Sequence, residues 1–302
     1  MISIFLGCII NVTFIHRRYN LMLWTNLRSD EFPAAVEKCN GVCVIPVGCV
    51  EAHGIHLPLG CDTIKGQEFA LRASEKEPVC VFPGMWFGEK SGAGEYPGTI
   101  IFPTKLIWDI LEQSCYEIAR NGFKKIIILS SHGGNSAMLQ AFVRYMLQKK
   151  PDFIVYYYYQ ALVKADELLD NTSKYPYLTD EDISIIRDFK DKGKVDGHGG
   201  FFETGSLYDI CPELVRLDLM DKKSGVSTKR FAEFDKHKVY TPFGWMGDYP
   251  DSYSADMHYG LNERIARAIG EKTVENTCEA FKFIREETIS VEYHKEWLAK
   301  QK

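Results

Sequence analysis

Residues 124–135 read KKIIILSSHGGN, and this stretch decides the fold. Ile126 to Leu129 is apolar at every position and rich in β-branched residues, which predicts a short strand buried on both faces. Strands of that kind belong to parallel sheets covered by helices on each side. Upstream, apolar residues at Leu106, Ile107, Ile110, Leu111, Cys115, Ile118 and Ala119 form a helical stripe over Leu106 to Asn121, closed by Asn121-Gly122 as a C-terminal cap. Downstream, a second helix is predicted from Ser136 to Lys149. Helix, strand, Gly-rich loop and helix in succession imply α/β architecture, with a mostly parallel central sheet flanked by helices in three layers.

Further out, Gly41 to Gly48 (GVCVIPVG) is a second buried strand, and Thr63 to Lys76 is a helix. Val79 to Phe82 is a short strand leading into a loop over Gly84 to Gly98. Phe153 to Tyr159 (FIVYYYY) is a strand whose tyrosines are assigned to the core. Lys164 to Lys194 is a polar insertion or helical excursion, and Thr273 to Lys302 is a solvated helix with an apolar stripe. No repeat and no Ser/Gly/Pro-rich linker divides the chain, so residues 22–302 are expected to form a single domain. Met1 to Ile15 is apolar and precedes Arg17 and Arg18, but it is too short to span a bilayer comfortably and lacks a basic region ahead of it. Residues 1–21 are therefore read as an extension or a mistaken start, with Met22 opening the domain.

Of 302 residues, 45% are hydrophobic and 25% charged, ordinary for a globular protein. A net charge of -5, without Lys/Arg runs, argues against nucleic acid as a partner, and no membrane association is expected. Nine scattered cysteines suit a reducing compartment, so the expected location is cytoplasmic. Cys39 and Cys43, near Cys49 and Cys61, are better read as core thiols than as a thiolate zinc site.

The chemistry is concentrated in three segments. Directly behind the Gly41 to Gly48 strand, PVGCVEAHGIHLPLGCDT (residues 46–63) places Glu51 and His53 two apart, on one side of an extended backbone, and lets Asp62 return to them after a Pro/Gly loop. Carboxylate, imidazole and carboxylate together suit Zn, Mn or Fe better than Mg or Ca. Alone, a Glu-x-His is more often a solvated or hydrogen-bonded structural pair. At the end of the Ile126 to Leu129 strand, where open α/β sheets bind ligands, SSHGGN offers His132 as a ligand beside glycines that permit close approach. The plainer reading is that Gly133-Gly134 turns the chain and Asn135 or Ser136 caps the next helix. The third segment, DGHGGFFETGS (residues 196–206), sets His198 and Glu203 among glycines, and spacing alone does not separate their roles. It could supply the proton-moving group that a metal hydrolase needs beside its ligands and activated water.

Taken together, Leu23 to Arg267 resembles the creatininase (creatinine amidohydrolase) family, whose members carry P-V-G-x-x-E-x-H-G-x-H-L-P-L-x-x-D, a G-H-G-G-N-like loop and D-x-H-G/A-G-x-x-E-T in this order. The resemblance implies a creatininase-like fold and a centre of one or two divalent ions held by Glu51, His53, Asp62 and His132, with Asp62 bridging. The family's namesake enzyme has a glutamate two residues after the loop histidine, whereas this chain has Gly134. Glu203 is then expected to complete the ligand set, leaving His198 as acid/base or as a transition-state hydrogen-bond donor. Ala52, Ile55 and Ser131 also depart from the pattern, where relatives often carry Gln, Pro and Gly. Residues 90–99 (KSGAGEYPGT) resemble the substrate-side loop, with Glu95 and Tyr96 where many members have a histidine, so creatinine is not assumed as the substrate.

The implied activity is hydrolysis of a carbon–nitrogen bond in a cyclic amide or formamide small-molecule substrate. The alternatives are ring opening of a polyhydroxylated cyclic ketone of the inosose type and a non-catalytic metal-binding homologue. Nucleotides are disfavoured by the lack of a phosphate-binding Lys/Arg cluster. A homo-oligomer, hexamers being common among relatives, is expected. Phe243 to Tyr249, followed by Tyr253, Asp256 and His258, is read as packing in preference to a pocket wall or subunit contact.

Overall fold

The computed structural model describes residues 22–90, 92–191, 196–220, 222–255 and 260–301. Met1 to Ile15, Asp256 and His258 therefore lie outside the described residues. Four parallel strands, β1 (Val42–Val47), β2 (Cys80–Val81), β3 (Lys125–Ser130) and β4 (Ile154–Tyr159), form one sheet in the order β2-β1-β3-β4. Alternation sorts the central strands onto two covered faces. Cys43, Ile45, Val47, Ile126 and Ile128 pack with α3 (Thr104–Arg120) and α4 (Asn135–Gln148), through Ile107, Leu111, Leu139 and Phe142. Val42, Val44, Ile127 and Leu129 pack on the opposite face against α2 (Cys61–Ser74) and α10 (Glu263–Glu286), through Ala70, Leu71, Phe281 and Ile284. Three layers follow because both residue sets of each strand are apolar and each needs a cover. A short helix α1 (Phe32–Lys38) precedes β1.

The excursion after β4 is helical, with α5 (Ala165–Leu169) and α6 (Asp180–Asp191), and it shares a second core with α7 (Phe201–Ile210) and α10 through Leu168, Ile186, Phe189, Phe201, Phe202 and Ile269. Asp182 fastens it. This buried carboxylate accepts hydrogen bonds from Thr179, Asn262 and Arg264, which outweigh the effect of burial and hold it well below the usual carboxylate range. Asn262 in turn caps α10, accepting from the Arg264 and Ile265 amides.

Several expectations are corrected. The first α/β helix begins at Cys61, two residues early, so Asp62 sits in its first turn and not in the loop before it. The C-terminal helix is two: α10 starts at Glu263, and the chain breaks at Glu287-Thr288 before α11 (Ile289–Lys300). The Glu287 carboxylate causes that break by accepting from the Ser290 amide and from the Tyr156 hydroxyl, which pins the start of α11 to β4. Of the strand tyrosines, Tyr156, Tyr157 and Tyr158 are half-buried, but Tyr159 is 43% exposed at the end of the sheet. Two small helices, α8 (Ala232–Lys236) and α9 (Gly244–Asp248), lie in the segment between α7 and α10. Among the described residues, no helix is long and apolar enough to cross a membrane.

Candidate metal centre

Pairing of Val47 with Ser130 brings the carboxyl ends of β1 and β3 side by side, so the residues that follow each strand emerge together. After β1 the chain runs to Glu51, whose amide donates to the Leu59 carbonyl at 3.0 Å and closes the loop that carries His53. Gly48 has no room for a side chain, since a Cβ there would lie 2.4 Å from the Thr63 amide nitrogen. That close approach brings the N-terminus of α2, and with it Asp62, against the end of β1. Asn135 ties the parts together by accepting from the Glu89 amide and donating to the Val47 carbonyl and the Ser130 hydroxyl. It does not cap α4, as the sequence suggested. Glu203 enters from the first turn of α7.

All six residues singled out in the sequence meet here. Asp62 lies between two histidines, with Oδ2 at 3.0 Å from His132 Nδ1 and Oδ1 at 3.5 Å from His53 Nε2. Glu51 Oε1 is 3.0 Å from His132 Nδ1 and 3.6 Å from His198 Nδ1, and Glu203 Oε2 is 3.8 Å from His53 Nε2. Glu51, His53, Asp62, His132 and Glu203 are all buried. His198 stacks on His53 with ring centroids 3.9 Å apart.

The outer nitrogens of the three imidazoles all meet backbone carbonyls: His53 Nδ1 on Glu51, His132 Nε2 on Glu89 and His198 Nε2 on Ala52. A carbonyl only accepts, so each of these nitrogens carries the hydrogen and, in the neutral ring, the inner nitrogen presents a lone pair. Three inner nitrogens thus face three carboxylates, an arrangement that needs positive charge among them, either as protons on the rings or as a cation that takes their lone pairs. The oxygens of Glu51 and Nε2 of His53 are buried without a hydrogen-bond partner. Ligand atoms of Cys49, Glu51, Asp62 and His132 lie within 4.8 Å of one another, as do those of Glu51, His53 and His198, and those of His53, Cys61 and Glu203. This donor set fits a divalent transition-metal ion, with the backbone carbonyls fixing ring orientation.

The same field sets the titration of the groups. Burial opposes charge on His53, but Asp62 and Glu203 outweigh it and lift the ring to about 9. His132 is likewise raised despite burial, by Cys49 and Glu51. Burial pushes His198 down to about 4, reinforced by His53. Glu51 and Asp62 are held low against burial by the histidines, Glu51 mainly by His132 and Asp62 mainly by His53.

Three participants escaped the sequence reading. Cys49, taken for a core thiol, places Sγ 3.3 Å from Asp62 Oδ2. Lys65 donates to Glu203 Oε1 and lies 3.5 Å from Asp62 Oδ1, and Lys90 pairs with Glu51 Oε2 without hydrogen-bonding geometry. Lys65 was detectable, because it lies at i+3 from Asp62 on the helix face that continues with Phe69 and Ala73. Lys90 and Cys49 carry no such periodic signal. Trp245, on α9, stands edge-on to His198 at 5.0 Å and beneath the Lys90 ammonium at 5.1 Å, so part of the aromatic segment does wall the site. Glu95 is exposed, and the Tyr96 hydroxyl is spent on the Pro250 carbonyl. Neither reaches the cluster. Cys39, Cys43 and Cys80 are buried thiols of the core.

The family model described as "Creatininase: Creatinine amidohydrolase" matches residues 25–280. A creatinine amidohydrolase from Pseudomonas putida is 26% identical over 202 residues, covering 62% of this chain and 71% of that protein. A mycofactocin precursor peptide peptidase from Mycolicibacterium smegmatis is 31% identical over 109 residues, 33% of this chain and 42% of the other. Among solved structures, a creatininase variant in a Zn–Zn form superimposes with a TM-score of 0.67 at 21% identity, covering 89% of this chain and all of that one (100%).

Proposed function

The chain belongs to the creatininase family of metal-dependent hydrolases, and from that premise we propose that it cleaves a carbon–nitrogen bond in a cyclic amide or formamide. The observation that carries the reading is the set of three imidazoles whose outer nitrogens are fixed on backbone carbonyls and whose inner nitrogens are turned onto three buried carboxylates. In this reading Glu51, Asp62 and His132 hold one divalent ion, Zn or Mn, while His53, Asp62 and Glu203 form a second half that shares Asp62. A divalent ion bound there supplies Lewis acidity, which polarises a carbonyl and lowers the pKa of water into the neutral range.

The remaining steps belong to the protein. His198 has its Nε2 hydrogen committed to the Ala52 carbonyl, so its Nδ1 is an acceptor at neutral pH. It takes the proton of the attacking water and returns it to the departing nitrogen, which makes it a base first and not the simple donor the sequence allowed. The edge of Trp245 and the stem of Lys90 close the mouth over His198 and keep bulk water from the reacting carbonyl. The two glutamates and Asp62, held ionised, keep the centre avid for cations. The whole of residues 22–302 is taken as the catalytic unit, acting as a cytoplasmic homo-oligomer.

The test is elemental analysis of purified protein beside a turnover screen of cyclic amides, formamides, short peptides and inosose-type ketones. Bound transition metal with release of an amine or ammonia from an amide substrate is the expected result. Metal-loaded protein that opens only the ketones refutes the amide assignment, and bound metal with no turnover makes the chain a scaffold.

A further inference from the structure

Lys65 is 3% exposed, and its ammonium reaches only one half of the centre. It donates to Glu203 Oε1 and stands 3.5 Å from Asp62 Oδ1, the same oxygen that faces His53. The other oxygen of Glu203 is also engaged, accepting from the Gly199 amide at 2.6 Å. Each oxygen of that carboxylate therefore already accepts from one internal donor. The half built from Glu51 Oε1, Asp62 Oδ2 and His132 Nδ1 differs. Its nearby ammonium, Lys90, pairs with the outer oxygen of Glu51 from the rim, over the face of Trp245. Lys65 is fixed on a packed helix, whereas Lys90 follows an irregular loop and its side chain retains 11% exposure.

Charge balance points the same way. Three buried carboxylates with the Lys65 and Lys90 ammoniums sum to -1, so one divalent ion leaves a net charge of +1, whereas a second leaves +3 in an enclosed site. Resting on the metal-centre reading above, we propose that Lys65 makes the two halves unequal. The Glu51–Asp62–His132 half holds a tight ion. The His53–Asp62–Glu203 half holds an ion only weakly, because a resident ammonium already supplies the positive charge there. Repulsion between an ammonium and a divalent ion that share carboxylates, at an effective interior dielectric of about 20, is enough to separate the two affinities by at least about 100-fold.

The test is metal stoichiometry, read independently of turnover. Stripped protein is reloaded with Zn2+ or Mn2+, desalted and assayed for ions per chain, and the stripped protein is also titrated calorimetrically against a chelator-buffered metal series. Wild type is expected to retain one ion, with any second event at least about 100-fold weaker. Lys65→Met is expected to retain two ions and Lys65→Arg one. Two equally tight ions in wild type overturn the inference while leaving the metal centre intact, as does a folded Lys65→Met protein whose second event is no tighter. If Lys65→Met does not fold, the wild-type titration decides alone. No ion bound by wild type overturns the metal-centre reading itself, and this inference with it.

Discussion

Replacing Gly134 with alanine isolates His132 without touching a ligand atom. Gly134 has helical angles, φ -60 and ψ -26, so an added methyl carries no backbone strain and slightly restricts the unfolded chain. Space is the obstacle. The new Cβ would lie 2.4 Å from His132 Nε2, 3.1 Å from its Cε1 and 3.2 Å from the Glu89 carbonyl oxygen. Ordinary contact for such atoms is about 3.5 Å, so the ring must shift by roughly 1 Å. The ring is held at both ends, by the Glu89 carbonyl at Nε2 and by Glu51 and Asp62 at Nδ1, and a shift breaks one set or the other. A 1 Å misplacement at a reacting centre costs about 100-fold in rate. Overpacking costs about 1–3 kcal/mol, a fall of roughly 2–10 °C in Tm at this size. Gly134→Ala should therefore melt cooperatively, lose or loosen the ion bound at His132, and drop kcat/KM by about 100-fold. Gly134→Glu, which supplies the carboxylate of the family's namesake enzyme, should do no better, because its Cβ meets the same ring. The measurements are metal content, thermal melting and turnover on the substrate found by screening. A Gly134→Ala protein with wild-type metal content and wild-type rate would refute the assignment of His132 as a ligand.

Two more outcomes are expected. Burial alone would raise the Glu287 carboxyl, but hydrogen bonds from Ser290 and Tyr156 dominate and lower it from 4.5 to about 2. A depressed carboxylate stabilises the fold above its unfolded pKa and loses that contribution as pH falls through the folded one. Wild type should therefore lose up to about 3 kcal/mol between pH 5 and about 2 through this group, and Glu287→Gln, weaker at neutral pH, should converge with it in acid. Urea unfolding at several pH values checks this, and a gap between the two proteins that does not narrow in acid counts against it. His198→Gln should lower kcat by about 100-fold or more while metal content stays at the wild-type level; loss of the ion in that variant would make His198 a ligand instead of a proton carrier.

The layered fold was legible because β1 and β3 are apolar at successive positions and helical stripes flank them, and both features are local. The candidate cluster was legible for a different reason: Glu51, His53 and His132 follow strand ends, where α/β sheets present their chemistry, and the three segments that carry it match the motifs of the family they resemble. What sequence did not yield depends on tertiary contact. The break between α10 and α11 is fixed by Glu287, which accepts both from the nearby Ser290 amide and from Tyr156 of a distant strand, and the second of these contacts is not legible in sequence. Asn135 reads as a helix cap in sequence and becomes a strut between three segments in space.

Lys65 shows how periodicity could have gone further. A lysine on the stripe shared by Asp62, Phe69 and Ala73 must either bend to solvent or find anions inside. With Asp62 one turn before it, and Glu203 already required to approach Asp62 if both serve one centre, the internal partner was implied by residues identified for other reasons. The charge of a buried centre therefore has to be counted over every side chain that reaches it. On that count, and as proposed above, Lys65 belongs beside the candidate ligands in setting how many ions the site would retain.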